Sequence, residues 1–223
     1  MGILKKLTEE YFGDTVREED LIDIDGLDVE IVSFTDNNGK KHKRGYKPKN
    51  INDLKELLER MIEVRGDEGD FNDIDTSNIE SMESLFLFNE TFNGDITGWN
   101  VSSVISMDGM FYCAKSFNQP IGNWEFPNVT NMSSMFCEAS SFNQDISKWK
   151  FPNVIYMDGM FKEAKSFNQP IGDWKFPNVR DMNHMFSNAT SFNQDLSKWD
   201  LKGKNKDEIF DGCPIKDEYK PKM

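Results

Sequence analysis

Large apolar side chains recur along most of this chain with a single period. Tryptophans stand at Trp99, Trp124, Trp149, Trp174 and Trp199, each 25 residues after the last. The same period carries Val104, Val129, Val154 and Val179, and then Met107, Met132, Met157 and Met182. It also carries the pairs Met110-Phe111, Met135-Phe136, Met160-Phe161 and Met185-Phe186, followed by Ala114, Ala139, Ala164 and Ala189. A weaker copy begins at Asn78-Ile79, with Met82 and Leu85-Phe86 in the matching places. Periods of this length belong to stacked repeats, in which no unit can bury its apolar face alone.

Within a unit, Val-x-x-Met-x-x-Met-Phe spaces its apolar residues at i, i+3, i+6 and i+7, which predicts a short helix. Asn128, Asn153 and Asn178 precede it at N-cap positions. The Ile-x-x-Trp stretch predicts a short strand, with Pro120 and Pro170 at its start because proline cannot donate inside a ladder. Strands stacked in parallel would place Trp on Trp, Phe on Phe and Met on Met. The column Asn93, Asn118, Asn143, Asn168 and Asn193 is expected to be structural, its amides bonding to one another and to turn backbone.

The predicted fold class is therefore an α/β repeat solenoid, leucine-rich-repeat-like. Each 25-residue coil would hold one short parallel strand and one short helix or 3-10 segment, with a small α+β part at the N-terminus. Asn-Gln-Pro-Ile-Gly at 118–122 and 168–172 alternates with Gln-Asp-Ile-Ser-Lys-Trp or its Leu variant, so the copied unit is a pair of coils.

Other patterns flank the repeat. Leu54, Leu57, Leu58, Met61 and Ile62 share one face of a predicted amphipathic helix over Ile51–Ile62, which would cap the first coil. Val29–Phe34 alternates like a strand, Asp36-Asn37-Asn38-Gly39 is a turn signal, and Lys40–Tyr46 returns as a basic strand. The run Lys40-Lys41-His42-Lys43-Arg44 is expected to be a solvated hairpin edge, its lysines guarding against strand addition. Residues 1–12 predict a short amphipathic helix. The resulting division is an N-terminal helix and hairpin region at 1–45, a capping helix and lead-in at 46–70, about five and a half repeats at 71–201, and a C-terminal cap and tail at 202–223.

Composition narrows the possible partners. The chain carries a net charge of -13 with 29% charged residues, and without a basic stripe it cannot neutralise phosphates, so no nucleic-acid partner is expected. Its 18 Phe and 12 Met bring large apolar area, and flexible methionines tolerate small differences between coils. No stretch approaches the roughly 18 consecutive apolar residues of a transmembrane span. The first residues carry no signal-peptide pattern, so the expected location is cytoplasmic or phage-borne.

Candidate chemistry is sparse. Cys113, Cys137 and Cys213 have no zinc or redox spacing; Cys113 and Cys137 are expected as packed thiols or, alternatively, a pair close enough to bridge. Asp23-Ile24-Asp25-Gly26-Leu27-Asp28 is like the start of a calcium loop, yet the position that needs a glutamate falls on Phe34. His42 and His184 lie in unrelated segments, and acids such as Asp95, Asp145 and Asp195 are periodic, as scaffold residues are. No phosphate-binding or dinucleotide motif appears. Catalytic, cofactor-binding and metal residues are all expected to be none, and no cofactor is implied. The residues that bind a partner, and the oligomeric state, stay open.

The unit Val129-Thr-Asn-Met-Ser-Ser-Met-Phe to Trp149 resembles the repeat of the BspA-like leucine-rich-repeat surface proteins. Tyr46-Lys47-Pro48-Lys49 is similar to that family's lead-in, and Phe210-Asp211-Gly212-Cys213-Pro214-Ile215 to its closing coil. The resemblance covers about residues 46–220. It implies a non-enzymatic module for protein–protein interaction or adhesion, a protein partner, and a place on bacterial surfaces, where members usually carry an export signal. A structural or host-interaction protein carried by a phage or mobile element is the alternative.

Overall fold

Residues 22–222 are described by a computed structural model. The helix expected over residues 1–12 lies outside them. Strand β1 (Val29–Thr35) pairs antiparallel with β2 (Lys41–Pro48), in a register that sets Ile31 opposite Tyr46 and slips between Val32 and Phe34. Helix α1 runs Ile51–Arg65. Asn50 caps it, its side-chain oxygen accepting from the N–H groups of Asn52 and Asp53 at 2.8 and 3.1 Å. Leu54, Leu57, Leu58 and Met61 are buried, so the apolar face read from the sequence is the packed one.

The basic strand is a solvated edge only in part: Lys40, Lys41 and Lys43 are exposed, but the strand is joined to the repeats at Tyr46. Tyr46 in β2 bridges to Ile74 on the far side from β1, accepting from Asp75 and donating to the Asp73 carbonyl, each at 2.8 Å. His42, expected on the surface, is buried. The hairpin turn reaches across the first repeats: Asn37 N–H donates to the Gly98 carbonyl at 2.8 Å, and Asn123 donates to the Asn38 amide oxygen at 2.8 Å.

The α/β repeat solenoid expected from the period, leucine-rich-repeat-like with a strand and a short helix in each coil, is not what the chain builds. Among the described residues, the two strands are antiparallel and end by Pro48, the α-helix precedes the repeats, and a short 3-10 helix (Asp217–Tyr219) follows them. Between residues 66 and 216 the backbone is turn and bend, touched only by isolated bridges such as Ser81 to Ser106, Ser106 to Asn131 and Asn131 to Tyr156.

Hydrogen bonding explains the difference. Met107, Gly109, Phe111 and Cys113 donate to the carbonyls of Asn131, Ser133, Met135 and Cys137 in the next unit, each at 2.9 Å. The residues between close three-residue turns, as in Met110 to Met107 and Tyr112 to Gly109. Consecutive three-residue turns place an apolar side chain on one side every third position, as a helix would, so the spacing alone does not separate the two. The turns also require left-handed backbone at Gly109 and Gly159, and equally at Ser134, His184, Cys113 and Glu138. A non-glycine residue there costs about 1–2 kcal/mol; the inter-unit bonds these residues make offset it. Asn128, Asn153 and Asn178 cap no helix. They donate back to the carbonyls of Ser102, Pro127 and Pro152 at 2.6 to 2.8 Å. The Ile-x-x-Trp stretch is also a turn, with Trp149 N–H donating to Ile146 at 3.1 Å.

Rings nonetheless form columns. Phe86, Phe111, Phe136, Phe161 and Phe186 stack in order with centroids 5.4 to 5.7 Å apart. The amide oxygens of Asn93, Asn118, Asn143 and Asn168 each accept the backbone N–H of the equivalent asparagine one unit on, at 2.9 to 3.0 Å, and that of Asn193 accepts from Lys216. One buried apolar cluster runs from Ile22 to Ile215. At its C-terminal end, the Lys204 ammonium donates to the carbonyls of Phe176 and Val179, both at 2.9 Å, and Phe210 stacks on Phe186.

Candidate groove beside a broken tryptophan rung

Three units carry the sequence Trp-x-Phe-Pro: Trp124-Glu125-Phe126-Pro127, Trp149-Lys150-Phe151-Pro152 and Trp174-Lys175-Phe176-Pro177. The aromatic rings turn inward and are buried, and the prolines turn outward. Phe126 meets Trp149 edge-on at 4.7 Å, and Phe151 meets Trp174 in the same way at 4.7 Å. These segments line a groove with a volume of about 940 Å³. Lys148, Lys150 and Lys175 line it with exposed side chains and make no ion pair among the described residues. Of its two acids, Asp173 is engaged by Lys198 at 2.8 Å, and that hydrogen bond holds the Asp173 carboxyl below its ordinary value. Glu125 is the other.

The tryptophan column expected to be continuous breaks at this groove. Trp149, Trp174 and Trp199 stack at 6.4 and 6.3 Å. Each donates its indole N–H to the isoleucine carbonyl of the unit before, at Ile121, Ile146 and Ile171 respectively, at 3.1 to 3.2 Å. Trp99 does the same to Phe71 at 3.0 Å. Trp124 makes no ring stack, and its Nε1 is buried without an acceptor although the residue is only 2% exposed. Val101 stands where the later units have Phe126, Phe151 and Phe176, so no ring edge meets Trp124 from the unit before. Trp99 also lacks one, because the equivalent position of the unit before is Thr76, but it keeps its carbonyl bond and its stack on Phe86. A buried donor left unpaired costs about 1–3 kcal/mol, a cost that the hydrogen-bonded tryptophans avoid.

A second cavity, of about 750 Å³, lies between the hairpin and α1, lined by Lys40, His42, Arg65 and Asp73. Here the charges are matched within the fold. His42 Nε2 lies 2.8 Å from Asp36 Oδ2, both side chains under 10% exposed, and His42 stacks on Phe34 at 4.9 Å. The other Asp36 oxygen accepts from the N–H groups of Asn38 and Lys40, so the pair pins the hairpin turn. Arg65 forks onto both Asp73 oxygens at 2.8 Å. Lys47 and Ser77 hold Asp75: desolvation pushes this carboxyl upward, but the hydrogen bonds outweigh it and keep its pKa below the ordinary value.

The residues singled out from sequence are scattered. In the turn at Asp23–Asp28, the carbonyls of Asp23 and Asp25 accept from Arg60 at 2.9 and 3.1 Å, and no acidic, histidine or cysteine cluster suited to a metal ion occurs among the described residues. His184 is half-buried and faces Glu208 at 3.3 Å, far along the chain from His42. Cys113 and Cys137 are free and lie in adjacent units; burial pushes their thiols up to about 11 and about 12. The groove was not singled out from the sequence, nor were Lys150 and Lys175. The available signal was that only three of five tryptophans are followed by x-Phe-Pro, with Glu125, Lys150 and Lys175 at x.

A turn-built repeat with a lysine-edged groove is the class that fold and site define. The chain belongs to the family described as Mycoplasma protein of unknown function, DUF285, which matches it twice, over residues 32–136 and 120–218. No curated protein and no solved structure matches it. No helix among the described residues is long and apolar enough to cross a membrane.

Proposed function

We propose that this protein is a non-enzymatic protein-interaction module, and that the Trp-x-Phe-Pro groove is where it holds its partner. The observation that carries this reading is the groove itself. It sets exposed prolines, backed by buried aromatic rings, beside three lysines that have no ion pair among the described residues. Binding sites of this size are largely apolar with a few placed polar groups. The lining holds Ser147 but no histidine or cysteine to activate it, which favours binding over catalysis. The similarity of Val129–Trp149 to repeats of BspA-like surface proteins points the same way.

Selection of peptides from a random displayed library on the immobilised protein tests the reading. Enriched peptides should bind the wild type at micromolar affinity and lose at least tenfold against Pro152→Arg, which projects a long cation across the groove. Equal binding by that variant would place the contact elsewhere and overturn the assignment of the groove.

A further inference from the structure

We infer that copies of this chain dock head to tail, the N–H row of one copy's last unit meeting the carbonyl row of the next copy's first unit. The contact lies at the two ends of the stack and uses no residue of the groove.

Each unit donates forward through four alternate N–H groups. Those of Met82, Ser84, Phe86 and Phe88 reach the carbonyls of Ser106, Asp108, Met110 and Tyr112, all at 2.9 Å. The pattern continues as far as Met182, His184, Phe186 and Asn188, which reach Asn205, Asp207, Ile209 and Asp211 at 2.7 to 2.9 Å. In the last unit the equivalent donors are Lys206, Glu208, Phe210 and Gly212. This unit keeps the shape of the others: Ile209, Asp211 and Cys213 close the same turns, and Glu208 and Gly212 keep the left-handed backbone of His184 and Asn188. Yet the four N–H groups have no acceptor among the described residues. The chain beyond Cys213 bonds to Asn193 and Leu196 instead.

The first unit presents the complement. The carbonyls of Ser81, Glu83, Leu85 and Leu87 stand where Ser106, Asp108, Met110 and Tyr112 accept in the next unit, and no described residue donates to them. Beyond its first turn, helix α1 spends its N–H groups on its own carbonyls and has none to give. Unpaired backbone groups are rarely sealed from water, and the side chains along this row are open: Glu83 is exposed, Leu87 is 37% exposed and Phe88 62%. Phe88 is also held in left-handed backbone, at φ 58°, where a bulky residue is an outlier. In a continued stack it follows Gly212 in its column, and the glycine leaves the ring room.

The rows select their occupant. Lys206, Glu208 and Phe210 spend their carbonyls on turns, so the last unit's edge offers donors; Leu85 and Leu87 spend their N–H groups on turns, so the first unit's edge offers acceptors. An ordinary strand edge offers both kinds together and matches neither row. Two copies related by a two-fold axis would set donors against donors. Donor row on carbonyl row is a heterologous contact, which adds copy after copy.

Sedimentation velocity from about 10 µM to about 1 mM protein tests this, because assembly follows mass action. The wild type should form a series that passes beyond the dimer as concentration rises. Residues one unit apart in a column reach each other, as Glu90 and Lys115 do at 2.7 Å, and the docked copies place Leu87 next after Asp211. Leu87→Asp therefore sets two carboxylates together and should weaken assembly by about tenfold. Leu87→Asp/Asp211→Lys makes the pair attractive and should restore it. Circular dichroism establishes that both variants fold, and Pro152→Arg, in the groove, should assemble like the wild type. By nuclear magnetic resonance, the amides of Lys206, Glu208, Phe210 and Gly212 should exchange freely in dilute protein and slow on assembly, while those of Met182, His184, Phe186 and Asn188 stay protected throughout.

A wild type that stays monomeric over the whole range, or that stops at the dimer, overturns the inference. So does assembly that Leu87→Asp leaves unchanged, or a loss that Asp211→Lys does not restore. Assembly abolished by Pro152→Arg would place the contact in the groove and overturn it as well.

Discussion

At the scale of single residues, equivalent side chains differ in what they cost and what they can do. Trp124 and Trp149 share a place in the repeat, yet Trp149 donates to Ile121 at 3.2 Å and packs against four rings, whereas Trp124 has neither stack nor acceptor. Replacing Trp149 by Phe should cost about 1–2 kcal/mol through the lost hydrogen bond and contact area. Trp124→Phe removes a buried unpaired donor and should change stability by less than about 1 kcal/mol in either direction. Urea midpoints of the two variants check this, and equal losses would show that Trp124 is satisfied in solution. The cysteines are distinguished by burial. With thiols pushed up to about 11 and about 12, Cys113 and Cys137 carry almost no thiolate near pH 8. Iodoacetamide should therefore modify them far more slowly than a free thiol at that pH, speeding up only as pH approaches 11. Rapid labelling of the folded protein at pH 8 would contradict that picture.

At the scale of elements, the 25-residue unit is a set of turns whose polar groups are satisfied by its neighbours. This is why the pairing of two kinds of coil matters. In one kind, Gly122 and Gly172 lie where a Cβ would strike the carbonyl oxygens of Asp145 and Asp195 in the following unit. In the other kind Ser147 and Ser197 occupy the equivalent positions, and Asp145 and Asp195 accept their N–H groups at 2.9 Å. Glycine in one coil thus makes room for the carbonyl of the next, which gives the two-coil pattern a packing cause. Gly122→Ala should cost about 1–3 kcal/mol, the usual penalty of forced overpacking, while Ser147→Ala should stay within about 0.5 kcal/mol. Thermal melts of the two variants measure it; indistinguishable melting temperatures would mean that the units slide apart without cost.

At the scale of the whole molecule, one core cluster joins the hairpin, α1, the turn-built units and the C-terminal cap. Rings inside this column have neighbours on both sides, and those at the end do not. Trp174→Ala, between Trp149 and Trp199, should cost about 3–5 kcal/mol, and Trp199→Ala less, because no later tryptophan or x-Phe-Pro segment packs on it. Chemical denaturation of both variants gives the comparison, and equal losses would argue against a shared column. Much of this was legible in the sequence. The hairpin and α1 could be read because their signals are local: alternation with an Asn-Asn-Gly turn, and an apolar face behind Asn50. The asparagine and phenylalanine columns could be read because the period alone brings equivalent residues together. The sequence by itself therefore determined which apolar residues repeat and form the core, and that equivalent phenylalanines and asparagines meet. Only the tertiary structure decided how each unit is folded, because three-residue turns and helices share the same apolar spacing and differ in where their N–H groups go, which is to the next unit here. It likewise decided that one tryptophan of five leaves its rung, that His42 is buried against Asp36, and that Lys148, Lys150 and Lys175 edge a single groove. Each of these depends on contacts between segments some 6 to 50 residues apart, which no local pattern encodes.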